Sequence, residues 1–432
     1  LVLEQAKFCF LRRSLVKRRE SDKKMTTMSE SITLAYERVV RSSTTSHVDN
    51  IDDTQSGYMP YLPDEVFMSC LVRVPVQDLV NVQFASRSLR DVVHSKEFYE
   101  QRKREGTASS FVCMLQPHPE TSGCFPGEKN TLSRLSDPVY GVSVFDEGQQ
   151  VWNRLPLVPG LLEGLPIFTK LIAVNGKLVA MGGWFQSNWE PSTSVFVYNF
   201  ASQTWRKGAD MPTVRSFFAC GALEGKIFVA GGHDVDKKAL VSADVYDVES
   251  DRWSSLPNMK EERDECTGAI LNEKFYVISG YRTDMQGAFS KSAEVFDPVT
   301  NLWSSIEDMW PLETEDSEVL NPGSFAVLGG RLFALHGKEI VVYSSEKSSW
   351  SVVDKIPEGE KGEMSPSCIT ATSHSIIVTG LAKTNDVPSL RALSFVPGHG
   401  RGHGAGSKGQ WKILPSNDQF LNIVQTSCAF EM

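Results

Sequence analysis

The chain has 432 residues, 41% of them hydrophobic with 9 Trp and 23 Phe, which allows two or three domains around a large buried core. Its net charge of −9 argues against nucleic acid as a general partner, because phosphate contacts need clustered Lys and Arg. No apolar run approaches the ~20 residues that span a bilayer, so no membrane partner is expected. None of the eight cysteines lies in a C-x-x-C spacing, and they read as reduced thiols, neither a disulfide framework nor a zinc site. With no N-x-S/T sequon, the pattern fits an intracellular protein, cytoplasmic or nuclear.

Residues 1–57 read as a disordered tail. The first residue is Leu1, and residues 1–24 hold eight Lys/Arg against three acids. Two readings are open: an organelle transit peptide or nuclear signal, or a tail and sequence ahead of a start at Met25 or Met28.

Residues 58–100 read as a small helical module. Leu62-Pro63-Asp64-Glu65-Val66 opens a helix, with Pro63 at its start and two acids at the positive end of its dipole. Val66, Phe67, Cys70 and Leu71 form its apolar face, and Val74-Pro75 breaks it. A second helix is expected from Asp78 to Ala85 and a third from Arg87 to Phe98. So small a module needs a partner or the next domain to cover its apolar surface. The order Leu62-Pro63, Asp64-Glu65, apolar helix, Val74-Pro75, Asp78-Leu79, apolar helix, Arg87, Phe98 resembles the F-box family. The chain departs from that family in one place, with Leu89 where the family has Trp. The resemblance implies a Skp-family adaptor and a cullin ligase scaffold as partners. The adaptor would dock on Leu62, Pro63, Val66, Leu71, Pro75, Leu79, Val82 and Leu89.

A linker is expected over 101–110, and a repeat fills 111–432. Trp152, Trp205, Trp253, Trp303, Trp350 and Trp411 recur at intervals of 53, 48, 50, 47 and 61 residues. Upstream of five of them a strand is expected to end in a glycine pair or its remnant: Gly182-Gly183, Gly231-Gly232, Ser279-Gly280, His336-Gly337 and Thr379-Gly380. Each unit reads as four short antiparallel strands, the pattern of a propeller blade. The third-strand Tyr or Phe and the fourth-strand Trp are expected to fill the space between blades. In these features the sequence resembles the kelch family, and the fold expected is mainly β: a six-bladed propeller behind the helical module. Residues 111–153 supply only three strands, so the missing innermost strand is expected from the tail, 425–430. The 61-residue interval comes from a Gly-rich insertion, Gly398 to Gly409, read as a loop despite His399 and His403.

Alternating strand direction places the turns after strands one and three on one face and the other connections on the opposite face. The first set is short, as in Asn175-Gly176-Lys177, and the second is long. Long loops on a rigid scaffold carry binding residues, and aromatics and Arg dominate hot spots. The candidate protein-substrate site is therefore Trp184, Trp189, Arg215, His233, Arg263, Asp264, Glu265, Tyr281, Arg282 and Phe289.

No catalytic, metal or cofactor motif is present: no H-E-x-x-H, no G-x-S-x-G, no phosphate-binding loop and no dinucleotide fingerprint. The chain therefore reads as a non-catalytic adaptor without cofactor. A kelch scaffold without ligase coupling and a metal-dependent propeller enzyme remain as alternatives. The F-box resemblance implies a substrate receptor of an SCF-type ubiquitin ligase. The run Arg263-Asp264-Glu265-Cys266-Thr267, with Gly280-Tyr281 and Phe289-Ser290-Lys291, is similar to a plant group that includes regulators of phenylalanine ammonia-lyase turnover. That likeness implies a phenylpropanoid-pathway enzyme as substrate.

Overall fold

The structure is a computed structural model that describes residues 63–118, 138–161, 163–310, 325–358, 364–384, 387–398, 409–415 and 423–432. The expected tail 1–57, Leu62, and His399 and His403 lie outside the described residues.

Six four-stranded antiparallel sheets form the propeller. Blade 1 holds the strands Ser110–His118, Val139–Asp146 and Val151–Arg154, with Thr426–Glu431 as its innermost strand. Blades 2 to 6 span 170–207, 219–255, 267–306, 325–355 and 364–413, each in simple strand order. The C-terminal strand pairs antiparallel with Ser110–His118, so the two ends of the repeat region close one sheet. Ring closure leaves only short sheet edges, which blocks edge-to-edge association.

The repeated Trp explains how neighbouring blades adhere. In every blade the third-strand aromatic is the register partner of the fourth-strand Trp, with ring centroids 4.6–5.3 Å apart, from Phe395–Trp411 to Tyr343–Trp350. Five of the six indoles also donate to a carbonyl leaving the preceding blade. Trp205 bonds Pro156 at 2.7 Å, Trp253 bonds Ala209 at 2.9 Å, and Trp152 bonds Pro415 across the closure at 2.7 Å. Trp303 and Trp350 do the same to Pro257 and Met309. Each Trp thus buries its ring within a blade and satisfies its N–H on the neighbour.

The glycine pairs behave in two ways. In blades 2 to 4 the second glycine has φ of 79–88° and lies against the main chain that enters the inner strand. A Cβ on Gly183, Gly232 or Gly280 would sit 2.3–2.6 Å from the carbonyl oxygens of Ile167, Ser216 and Asp264. Blades 5 and 6 depart from the expected pattern. Gly337 lies in a tight turn directly between the strands Arg331–His336 and Glu339–Ser344, and the strand Ile376–Thr384 runs straight through Gly380. Among the described residues, the long loops between second and third strands therefore belong to blades 2 to 4.

Among the described residues four α-helices precede the ring: α1 (Asp64–Leu71), α2 (Leu79–Ala85), α3 (Arg87–Val93) and α4 (Lys96–Arg104). The single helix expected from Arg87 to Phe98 is broken at Ser95, whose hydroxyl accepts the Phe98 N–H at 3.2 Å and caps α4. The new direction buries Phe98 and Tyr99. The expected linker shrinks, since α4 runs through Arg104 and the first strand starts at Ser110.

Helices and ring share one hydrophobic core. Phe67, Leu71, Leu79, Val92, Val93 and Phe98 pack in the same cluster as Phe111, Phe200, Ala201 and Met432. The contact is on the short-turn side: Tyr99 covers Gly176, and Gln83 donates to the Ala201 carbonyl at 3.2 Å. The buried Arg102 guanidinium ties the module together, donating to the carbonyls of Val72, Val74 and Thr107 at 2.7–3.0 Å. The small module is thus stabilised by the propeller beneath it.

Candidate functional site

The long-loop side of blades 2 to 4 carries a row of equivalent positions. The residue after each glycine pair, Trp184, His233 and Tyr281, forms an isolated bridge with Ile167, Ser216 and Asp264 respectively. Phe168, Phe217 and Glu265, the next residues along, all take a positive φ of 49–61°. Such a conformation is uncommon for these residue types, and here the bridges and glycines around it hold it in place.

The side chains join across blades. Phe168 and Phe217 lie 4.9 Å apart, centroid to centroid, and Phe217 lies 5.6 Å from His233. Trp184 meets His233 edge-on at 5.9 Å. His233 Nδ1 is 2.9 Å from both carboxylate oxygens of Asp264. Tyr281 O–H donates to Glu265 at 3.0 Å, and its ring meets Phe289 at 5.3 Å. Trp184, His233, Asp264, Glu265, Tyr281 and Phe289 are thus brought together, and Phe168 and Phe217 complete the row.

Burial, offset in part by the Tyr281 hydrogen bond, raises the Glu265 carboxyl above its ordinary range, and Asp264 adds to the rise. Burial, then Asp264 and Glu265, pushes the Tyr281 phenol far up, so it stays a neutral donor. Trp184 Nε1 and His233 Nε2 are buried without a hydrogen-bond partner among the described residues. The site therefore combines aromatic surface, carboxylates and unused polar atoms, the ingredients of protein recognition. Among the described residues no group of three or more His, Cys, Asp or Glu is placed to hold a metal ion. The Asp264–His233 pair resembles the orienting half of a catalytic triad, but no nucleophile is bonded to Nε2.

Arg215 and Arg263 do not face a partner. Both are fully buried beneath the row. Arg215 donates to the Gly231 and Ser242 carbonyls at 2.9 and 3.0 Å and to Asp244 at 2.7 Å. Arg263 repeats the arrangement one blade on, with the Ser279 and Ser292 carbonyls at 2.9 and 3.2 Å and Glu294 at 3.2 Å. Each guanidinium binds both ends of a long loop, so these residues hold the long loops in shape. Trp189 stands apart, 54% exposed on its loop, and Arg282 is exposed and paired with Asp284 at 3.1 Å.

The helical module sorts in the same way. Leu71 and Leu79 belong to the intramolecular core and are not available to an adaptor. Pro63, Val66 and Pro75 are exposed, while Val82 and Leu89 are partly covered by the core. Phe84, 74% exposed on α2, joins this outward surface, and no candidate set from the sequence included it. Its signal was the step from Gln83, which faces the propeller, to the next residue around the helix.

The F-box domain model matches residues 59–101, and the KLHDC2/KLHL20/DRC7 Kelch-repeats domain model matches residues 169–380. F-box/kelch-repeat protein At1g80440 of Arabidopsis thaliana is 36% identical over 301 residues, which cover 69% of this chain and 82% of the relative. F-box/kelch-repeat protein At1g15670 of the same plant is 34% identical over 385 residues, 87% of this chain and 99% of the relative. A third, SKIP20, is 37% identical over 290 residues, 60% and 68% of the two chains. Helices and ring occur here in the order those names describe, and the chain belongs to the plant F-box/kelch-repeat family.

Proposed function

We propose that the chain is the non-catalytic substrate receptor of an SCF-type ubiquitin ligase. The outer surface of the helices, around Val66 and Phe84, docks a Skp-family adaptor and through it the cullin scaffold. The row from Phe168 to Phe289 holds the protein to be ubiquitinated. The observation that carries this reading is the separation of the two surfaces. The module covers the short-turn side, and the recognition row opens on the long-loop side of the same strands. An adaptor on one end therefore leaves the other free for a substrate. The likeness around Arg263 to Thr267 makes a phenylpropanoid-pathway enzyme, phenylalanine ammonia-lyase first, the substrate to test.

Removing the module is a poor test, because Phe111, Phe200 and Met432 would lose their cover. Single surface changes in the full chain avoid that. Phe84→Asp is expected to weaken copurification with the Skp adaptor at least about tenfold, as loss of a hot-spot contact does. Glu265→Lys is expected to leave adaptor binding intact and to abolish capture of phenylalanine ammonia-lyase. An unmodified chain that fails to bind the adaptor, beside a control F-box protein that does, would leave a kelch scaffold without ligase coupling.

A further inference from the structure

Two cysteines meet at the seam where the ring closes. Cys113 lies on the strand Ser110–His118 and Cys428 on the C-terminal strand Thr426–Glu431, and they are register partners in the ladder between them. Residues directly opposed in an antiparallel ladder share one side of the sheet, with Cα atoms about 4.5–5.5 Å apart. A disulfide requires a Cα separation of about 4.4–6.8 Å, so the backbone already meets that condition. Both side chains pack in the same core cluster. Among the described residues no other two cysteines are opposed in a ladder.

We propose that Cys113 and Cys428 form a reversible disulfide that fastens the closing strand to the ring under a glutathione-disulfide oxidant. One cysteine thiolate attacks a sulfur of oxidised glutathione, forms a mixed disulfide and expels one glutathione thiolate. The second cysteine thiolate attacks the protein-side sulfur, closes the Cys113–Cys428 bond and expels the other. Two protein thiols give up two protons and two electrons. One S–S bond is broken, one is formed, and two glutathione thiols are released.

The hydrogen bond to Cys113, and then burial, hold the Cys428 thiol well above the usual thiol range. Exchange is therefore slow in the closed ring and proceeds when the terminal strand frays. In a reducing compartment the seam stays free to open, and oxidation removes that freedom. The consequence reaches the helices. Ser109 and Met432 exchange main-chain hydrogen bonds at 2.7 and 2.9 Å, and Met432 packs in the core that the module shares. Fastening the strand thus also fastens the module to the propeller.

The test treats the full-length protein with graded oxidised glutathione, blocks the remaining thiols and digests it without reduction. Mass spectrometry is expected to find a linked peptide pair containing Cys113 and Cys428. The melting temperature should rise by about 5 °C and return on adding dithiothreitol, because the bond closes a loop of nearly the whole ring. Cys428→Ser should lose both responses. Two results would overturn the proposal. In one, the exposed Cys70 becomes glutathionylated while Cys113 and Cys428 remain unlinked. In the other, the linked pair forms and the melting temperature does not move.

Discussion

The two ends of the propeller are made by the same strands and are built on different principles. On the short-turn side, tight turns such as Asn175-Gly176 bring the sheets to a flat end on which Tyr99 and the helices pack. On the long-loop side of blades 2 to 4, the chain leaves the sheet for long excursions, and Arg215 and Arg263 fix them from below. The helices are held on the first end mainly by apolar burial, and the long loops on the second by buried charge and hydrogen bonds. Apolar packing tolerates substitution of similar volume, whereas a buried guanidinium tolerates almost none.

The largest expected effect tests the ring that both ends depend on. Deleting residues 424–432 removes the innermost strand of blade 1 and strips the edge of Ser110–His118. Cooperative thermal unfolding, followed by circular dichroism, should be lost. An unchanged melting temperature would show that the ring does not close as described. Next comes the support of the long loops. Arg263→Ala leaves the buried Glu294 carboxylate with its main-chain donors but without its cation, and is expected to cost about 3 kcal/mol in denaturant unfolding. A loss below about 1 kcal/mol would mean the loops are held by other means. The smallest effect is a pH response at the same end. The His118 imidazole is pushed down to about 4 by burial and then by Arg154. Its value in the unfolded chain is about 6.5, so the unfolded state takes up the proton first. Its contribution is full above about pH 6.5 and declines by about 2–3 kcal/mol as pH falls toward 4. His118→Gln should flatten unfolding midpoints measured at pH 7, 5.5 and 4.5, and an unaltered slope would reject this assignment.

What was legible in the sequence is what repeats or stays local. The six Trp marked the blades because each packs on an aromatic of its own blade, in five blades only a few residues upstream. Turn length separated the two ends because strand direction alternates. Partners far along the chain were harder to see. Arg215 and Arg263 look like exposed hot-spot residues until the carbonyls of the same blade's second and third strands close around them. Phe168 and Phe217 were in no candidate set, because nothing in a Phe announces a positive φ. The F-box resemblance placed Leu71 and Leu79 on an adaptor-binding face, but an apolar stripe does not say whether another protein or the same chain covers it. Ser95 in an otherwise helical run gave no sign that it caps a new helix.

The indole tethers have a consequence for how such receptors diversify. Each tether joins a fourth strand to the exit of the preceding blade, and none uses a residue of the long-loop row. Loop sequence and ring integrity are therefore inherited separately. A loop exchanged between relatives at its glycine pair leaves every tether in place, so one scaffold accommodates changing loops.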